Sequence, residues 1–181
     1  RYRAALALAN LHQDAHQSGE AQRHYELALH AAAEAGDVLG TARVMCNQAA
    51  AQVSEVRQVA AAGRPHETAA LAALAAVETS LGAVDRIDGA GPMALDYLLM
   101  GEALQLAGRW AESLALFDQY LEPAARDGEL PELVIARADR AVCLLELGRL
   151  DEALAAAQAA LANLDHASPA DARAVAHAAL A

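Results

Sequence analysis

His12 and His16 stand four residues apart, one helical turn, and two imidazoles on one helix face can hold a transition metal. The pattern stops there. Gln13 follows His12 where a zinc-protease helix would carry glutamate, and no third ligand stands at motif spacing, so no metal site is expected. His24 and His30 could approach in space but read as surface side chains. Cys46 and Cys143 lie far apart inside helical patterns and read as buried free thiols. As nucleophiles they would need a histidine and oxyanion donors close by, and the sequence places neither there. Asp151 and Glu152 pair two carboxylates at a helix start, where they answer the helix dipole. Gly89-Ala90-Gly91 precedes a helix start without the strand or the third glycine of a phosphate cradle. All 13 basic residues are arginine, which excludes P-loop and Schiff-base lysine chemistry from this stretch. The chain is therefore expected to be no enzyme, with no catalytic residue, no metal and no cofactor.

The surrounding residues must form helices. Apolar residues make up 56% of the chain and aromatics only 3%, and 51 of the 181 residues are alanine, which favours helices closely packed through small side chains. No alternating β-branched run argues for a sheet. A short phrase recurs, G-R-x-x-E-small, at Gly63 to Thr68, Gly108 to Ser113 and Gly148 to Ala153, with a weaker copy at His16 to Ala21. Each copy lies between apolar stretches of helical period and reads as the turn of a helical hairpin. The copies are 47, 45 and 40 residues apart, the spacing of a stacked repeat.

Four hairpins follow, over about 2–36, 38–80, 92–127 and 131–165, with a terminal helix over 168–181. The third helix runs from Val38 to about Ala62, an insertion of about two turns that keeps its phase. Pro65, Pro92, Pro131 and Pro169 suit the first turns of helices, and Pro123 should kink or end its helix near Glu122. The stretch 81–91 reads as a non-helical inter-repeat loop splitting the chain into two helical halves. The net charge is −11 and no basic stripe is visible, which argues against direct nucleic-acid binding and toward neutral or basic partners. The longest apolar run, Ala69 to Val77, is too short for a bilayer and no signal peptide is visible, so no membrane association and a cytoplasmic location are expected. An opening at Arg1 in mid-pattern reads as a domain cut from a longer protein.

These hairpins resemble tetratricopeptide repeats. The resemblance is carried by Tyr97, Met100, Gly101, Leu104, Gly108, Ser113 and Phe117 in the third hairpin, and by Ala141, Leu144, Gly148, Ala153 and Ala160 in the fourth. Leu8, Ala9, Ala21, Tyr25 and Ala28 carry it in the first, and Gly63, Thr68 and Ala75 in the second. The spacing near 40 residues and the ending Ala-Ala-Glu-Ala-Gly-Asp at 32–37 look like the variant in large bacterial transcriptional regulators. The resemblance implies an all-α right-handed α-solenoid of antiparallel hairpins, about nine helices in a single TPR-like unit over 1–181. It also implies that the first helix of each hairpin lines a concave groove for a protein or peptide.

Polar residues on those helices are the candidate contacts: Arg3, Asn10 and Gln13 on the first helix, Arg43, Asn47 and Arg57 on the third, and Glu102 and Gln105 further on. Asparagine offers a peptide both donor and acceptor, and arginine grips a carboxylate with two parallel bonds. Glu146 adds acidity there, and Leu98, Leu106 and Val142 add apolar surface, which together suit an amphipathic helix or an extended peptide. The expected role is a partner-binding regulatory or sensor module of a larger bacterial protein. The alternative is self-association into a homodimer or larger homo-oligomer through the apolar second half, which Leu106→Arg or Leu145→Arg should disrupt where those leucines are exposed.

Overall fold

The computed structural model describes residues 2–87, 94–127 and 131–162, which form eight α-helices and, among the described residues, no strand. They are α1 (Tyr2–Asp14), α2 (Ser18–Glu34), α3 (Val38–Ala61), α4 (Glu67–Asp85), α5 (Ala94–Leu106), α6 (Trp110–Asp127), α7 (Pro131–Glu146) and α8 (Leu150–Ala162). The chain divides into two compact units, Arg1–Pro92 and Met93–Ala181. In the first, α1 pairs with α2 and α3 with α4, while α2 and α1 both touch α3; in the second, α5 pairs with α6 and α7 with α8, while α6 and α5 both touch α7. Each unit is thus two antiparallel hairpins stacked as in an α-solenoid. The expected terminal helix at 168–181 lies outside the described residues.

The recurring phrase has a specific geometry. At Gly108 the chain turns left-handed, φ 72°, the Gly108 amide donates to the Gln105 carbonyl and the Arg109 amide donates to the Leu104 carbonyl. This double closure ends a helix by satisfying carbonyls that have no partner within it. Gly36, Gly63 and Gly148 make the same two bonds, and so does His16 at φ 57°. The weaker copy is therefore the same turn with a histidine in the glycine's place. Arg109 and Arg149 then reach forward three residues to the carboxylates of Glu112 and Glu152 in the first turn of the next helix. These arginines hold the two carboxyls below the usual range. Glu152 is thus accounted for by its arginine as well as by the helix dipole.

The second turn departs from the phrase. Helix α6 starts two residues after Gly108, whereas α4 starts four residues after Gly63, with Pro65 and His66 intervening. Pro65 accordingly precedes the helix instead of opening it, while Pro131 does open α7. Those two extra residues shift the register of α4. Thr68 and Ala75, the expected packing positions, are exposed, and Ala70, Leu74 and Val77 are buried in their place. The buried residues lie two positions later, which matches the longer turn.

Three other expectations are corrected. Helix α4 continues to Asp85, so 81–85 are helix and not loop, because a single Gly82 costs a helix only about 1 kcal/mol, and 88–91 lie outside the described residues. At 19 residues α4 is long and apolar enough to cross a membrane by length and composition, although Glu78 interrupts its apolar run. It buries Ala70, Ala73, Leu74, Val77 and Ser80 and packs on α3. Helix α6 does not end near Glu122, one of the two outcomes expected of Pro123, but continues to Asp127, since proline removes one amide rung and an established helix can bridge that gap at a local cost of about 3 kcal/mol. Finally, Cys143 is buried but Cys46 is only half-buried; both are free thiols.

Helix α3, with 24 residues, is eight longer than its equivalent α7, the expected insertion of about two turns. Asp37 caps its start by accepting from the Gly40 amide at 2.7 Å.

Candidate functional site

In the first unit, α1 and α3 run side by side and bring the nominated residues together in pairs. The Asn10 amide donates to Asn47 Oδ1 at 3.3 Å, and the Gln13 amide donates to the Ala51 carbonyl at 3.5 Å. The chain of bonds extends at both ends. Tyr25 of α2 donates its hydroxyl to Asn10 Oδ1 at 2.9 Å, and the Asn47 amide donates to the Arg43 carbonyl at 2.9 Å. Asn10, Gln13 and Asn47 are half-buried, while Arg3 and Arg43 are exposed. Arg3 reaches the Tyr2 hydroxyl at 3.5 Å and lies 6.0 Å from the centre of that ring. The two asparagines therefore fasten α1 to α3 before they can serve a ligand, and the arginines at one end keep their guanidinium groups at the surface. Arg57, also exposed, donates to Ser54.

Tyr25 is the hub of this arrangement. The residue is buried, 3% exposed, and its hydroxyl reaches Asn10 of α1. Burial first, and then the fields of Asp14 and Glu55, push its phenol above the ordinary value. Sequence reasoning treated Tyr25 as packing alone. The signal it missed is the row Gln48, Gln52, Glu55 at helical spacing on α3, which faces Gln13, Gln22 and Tyr25 across a cleft of about 320 Å3.

The second unit uses its polar residues differently. Ser113 is fully buried and donates to the Gly101 carbonyl at 3.0 Å, and Cys143 donates to Ser113 at 3.4 Å. The Gln105 amide donates to the Asp139 carbonyl at 3.1 Å and to Cys143 Sγ at 3.3 Å. Gln105 thus ties α5 to α7. Burial pushes the Cys143 thiol up in pKa, against the pull of its bonds to Ser113 and Gln105, which is the opposite of what a nucleophilic thiolate requires. Glu102 is half-buried, Leu106 and Val142 are half-buried and Glu146 is exposed, whereas Leu98 belongs to the core and cannot line a surface.

The histidines pair otherwise than their spacing suggested. His12 stacks on His24, with ring centres 5.2 Å apart and planes 6° from parallel, and accepts or donates one bond with Gln17 at 2.6 Å. His30 meets Glu34 at 3.2 Å. Among the described residues no three metal-ligating side chains cluster.

No family model and no curated protein matches this chain. Among solved structures it is similar to a chain described as a kinesin light chain with nearly identical TPR-like repeats, from Podosopora anserina. The TM-score is 0.51 and the identity 16%, over 88% of this chain and 93% of that one. With the all-helical hairpins above, this likeness makes the fold TPR-like.

Proposed function

We propose that the chain is a protein- or peptide-binding module that holds a partner segment against the first helices of its hairpins without catalysis. It would serve as a regulatory or sensor part of a larger bacterial protein in the cytoplasm. The observation that supports the reading most is the α1 and α3 surface of the first unit. There Asn10 and Asn47 lock two helices in register and two exposed arginines, Arg3 and Arg43, flank them. A surface set by internal bonds is pre-organised, so a peptide loses less free energy in ordering it. The net charge of −11 leaves those arginines as a local exception, suited to a carboxylate in a partner that is otherwise neutral or basic.

The test is affinity capture from a lysate, with wild type, an Arg3→Ala/Arg43→Ala variant and an Asn10→Ala/Arg43→Ala/Asn47→Ala variant side by side. A partner held by wild type should be lost with both. The arginine pair matters most, since neither residue packs in the core and its loss leaves the helices joined. Retention of the partner by the arginine variant would exclude this surface.

A second reading, self-association, is favoured by exposed leucines on the α7 and α8 hairpin. Leu145 is 45% exposed, Leu150 63% and Leu154 51%. A mass that rises with concentration, and falls to the monomer in Leu145→Arg, would move this reading ahead.

A further inference from the structure

The cleft beside Tyr25 exists because α3 is long. Asn10 meets Asn47 and Gln13 meets Ala51, so α1 is nearly finished where α3 has reached Ala51, and α3 runs ten residues further. Gln52 and Glu55, on this overhang, wall a space closed on the other side by Gln22 and Tyr25 of α2 and by Gln13.

The hydrogen-bond direction in the cleft is forced. Gln22 donates its amide nitrogen to the Glu26 carboxylate at 2.9 Å, and an ionised carboxylate can only accept. The Gln22 carbonyl must then accept, and it does so from the Gln48 nitrogen at 3.1 Å. Gln13 likewise turns its nitrogen to a backbone carbonyl, and the Tyr25 hydroxyl hydrogen goes to Asn10. Four donor groups are thereby committed inside the protein, and the carbonyl oxygens of Gln13 and Gln48 remain, with the Ser18 hydroxyl and the Gln52 amide beside them on the lining. Beside them stands Glu55, half-buried, with no hydrogen-bond or ion-pair partner among the described residues. No arginine or histidine lines the space. A partly desolvated carboxylate beside spare amide carbonyls favours a ligand that is cationic and rich in donors.

We propose that this cleft receives an arginine side chain of the partner, with the Glu55 carboxylate as its counter-ion and the carbonyls of Gln13, Gln48 and Gln52 as acceptors. A guanidinium has five donors in one plane and no acceptor, which fits several separated oxygens better than a compact ammonium does. The overall charge of −11 draws such a segment in. The inference rests on the peptide-binding reading above and adds what the partner must carry.

The experiment is an NMR titration of the 15N-labelled chain with the peptide acetyl-Ala-Ala-Arg-Ala-Ala-amide, with the same peptide carrying citrulline, and with agmatine. It is run on wild type and on Glu55→Gln, a variant of equal size whose dispersed spectrum verifies its fold. The arginine peptide should shift the Gln48, Gln52 and Glu55 amide signals. Its affinity should fall on the order of tenfold with citrulline or with Glu55→Gln, as for loss of one charge-assisted bond. Equal binding by the citrulline peptide or by Glu55→Gln would overturn the proposal. Agmatine binding as tightly as the peptide would overturn the peptide as its source. Shifts confined to Asn10, Arg43 and Asn47 would overturn the cleft and leave the α1 and α3 surface standing. The absence of any shift would also overturn the cleft, with the capture experiment still deciding that surface.

Discussion

Tyr25 and Phe117 occupy the same place in two hairpins, nine residues after the left-handed residue of their turns, and they build opposite kinds of joint. Phe117 is fully buried against Gly101, where an added Cβ would come within 2.2 Å of its ring. Around it Ser113, Cys143 and Gln105 close their bonds on one another and on backbone. Tyr25 sits in a unit where the residue equivalent to Gly101 is Ala9, and its hydroxyl carries the chain of bonds outward to Asn10 and Asn47. One oxygen atom separates the two side chains. With it, the joint between hairpins gains a polar rim of half-buried asparagines; without it, the joint is closed on itself.

The largest effect expected from breaking this contrast is at Gly101→Ala. Removing the glycine from the helix gains about 1 kcal/mol, but the clash with an immobile ring should cost about 3 kcal/mol, a net loss near 2 kcal/mol in urea unfolding. Adding Phe117→Leu should recover part of that loss, and failure to do so would mean that the ring is not what Gly101 accommodates.

Next comes Tyr25→Phe, which makes the first joint chemically like the second. It should cost about 1 to 1.5 kcal/mol, because Asn10 loses a donor in a half-buried place. It should also change the response to alkali. The folded phenol holds its proton above the ordinary value of 10.0, so its contribution is whole below that value and is lost as pH rises through the folded pKa. Wild type should therefore lose stability above about pH 10. The variant should lose less, by the difference in unfolding midpoint between pH 8 and pH 11. Cys143 titrates with the same sign from its ordinary 9.0, in both proteins alike, and cancels in the comparison.

The smallest effects lie in the turns. His16 holds the left-handed conformation that Gly108 holds elsewhere. His16→Gly should stabilise by about 1 kcal/mol and Gly108→Ala should destabilise by a similar amount, read from thermal midpoints. Equal signs would mean that the two turns are not the same device.

The hairpins, their order and their turns were legible because a left-handed glycine followed by an arginine and a glutamate is a local signature. The bonds that close such a turn lie within six residues. The long third helix was legible for the same reason, since its phase is preserved. Thr68 and Ala75 misled because Pro65 and His66 lengthen one turn by two residues while leaving the phrase Gly-Arg-x-x-Glu intact to the eye. The polar residues of the first helices were legible as types, but their partners were not. Asn10 and Asn47 are 37 residues apart, and Gln105 and Cys143 are 38 apart. Nothing in a helical pattern says which polar face will meet another.

What the sequence determined by itself is therefore everything carried by short range and by period: eight described helices, four hairpins, small residues where helices cross, and an acidic chain without lysine. What only the tertiary structure decided is which polar atoms remain uncommitted within the protein. That depends on where each donor has already gone, and donors on α1, α2 and α3 choose among acceptors that only packing brings within 3.5 Å.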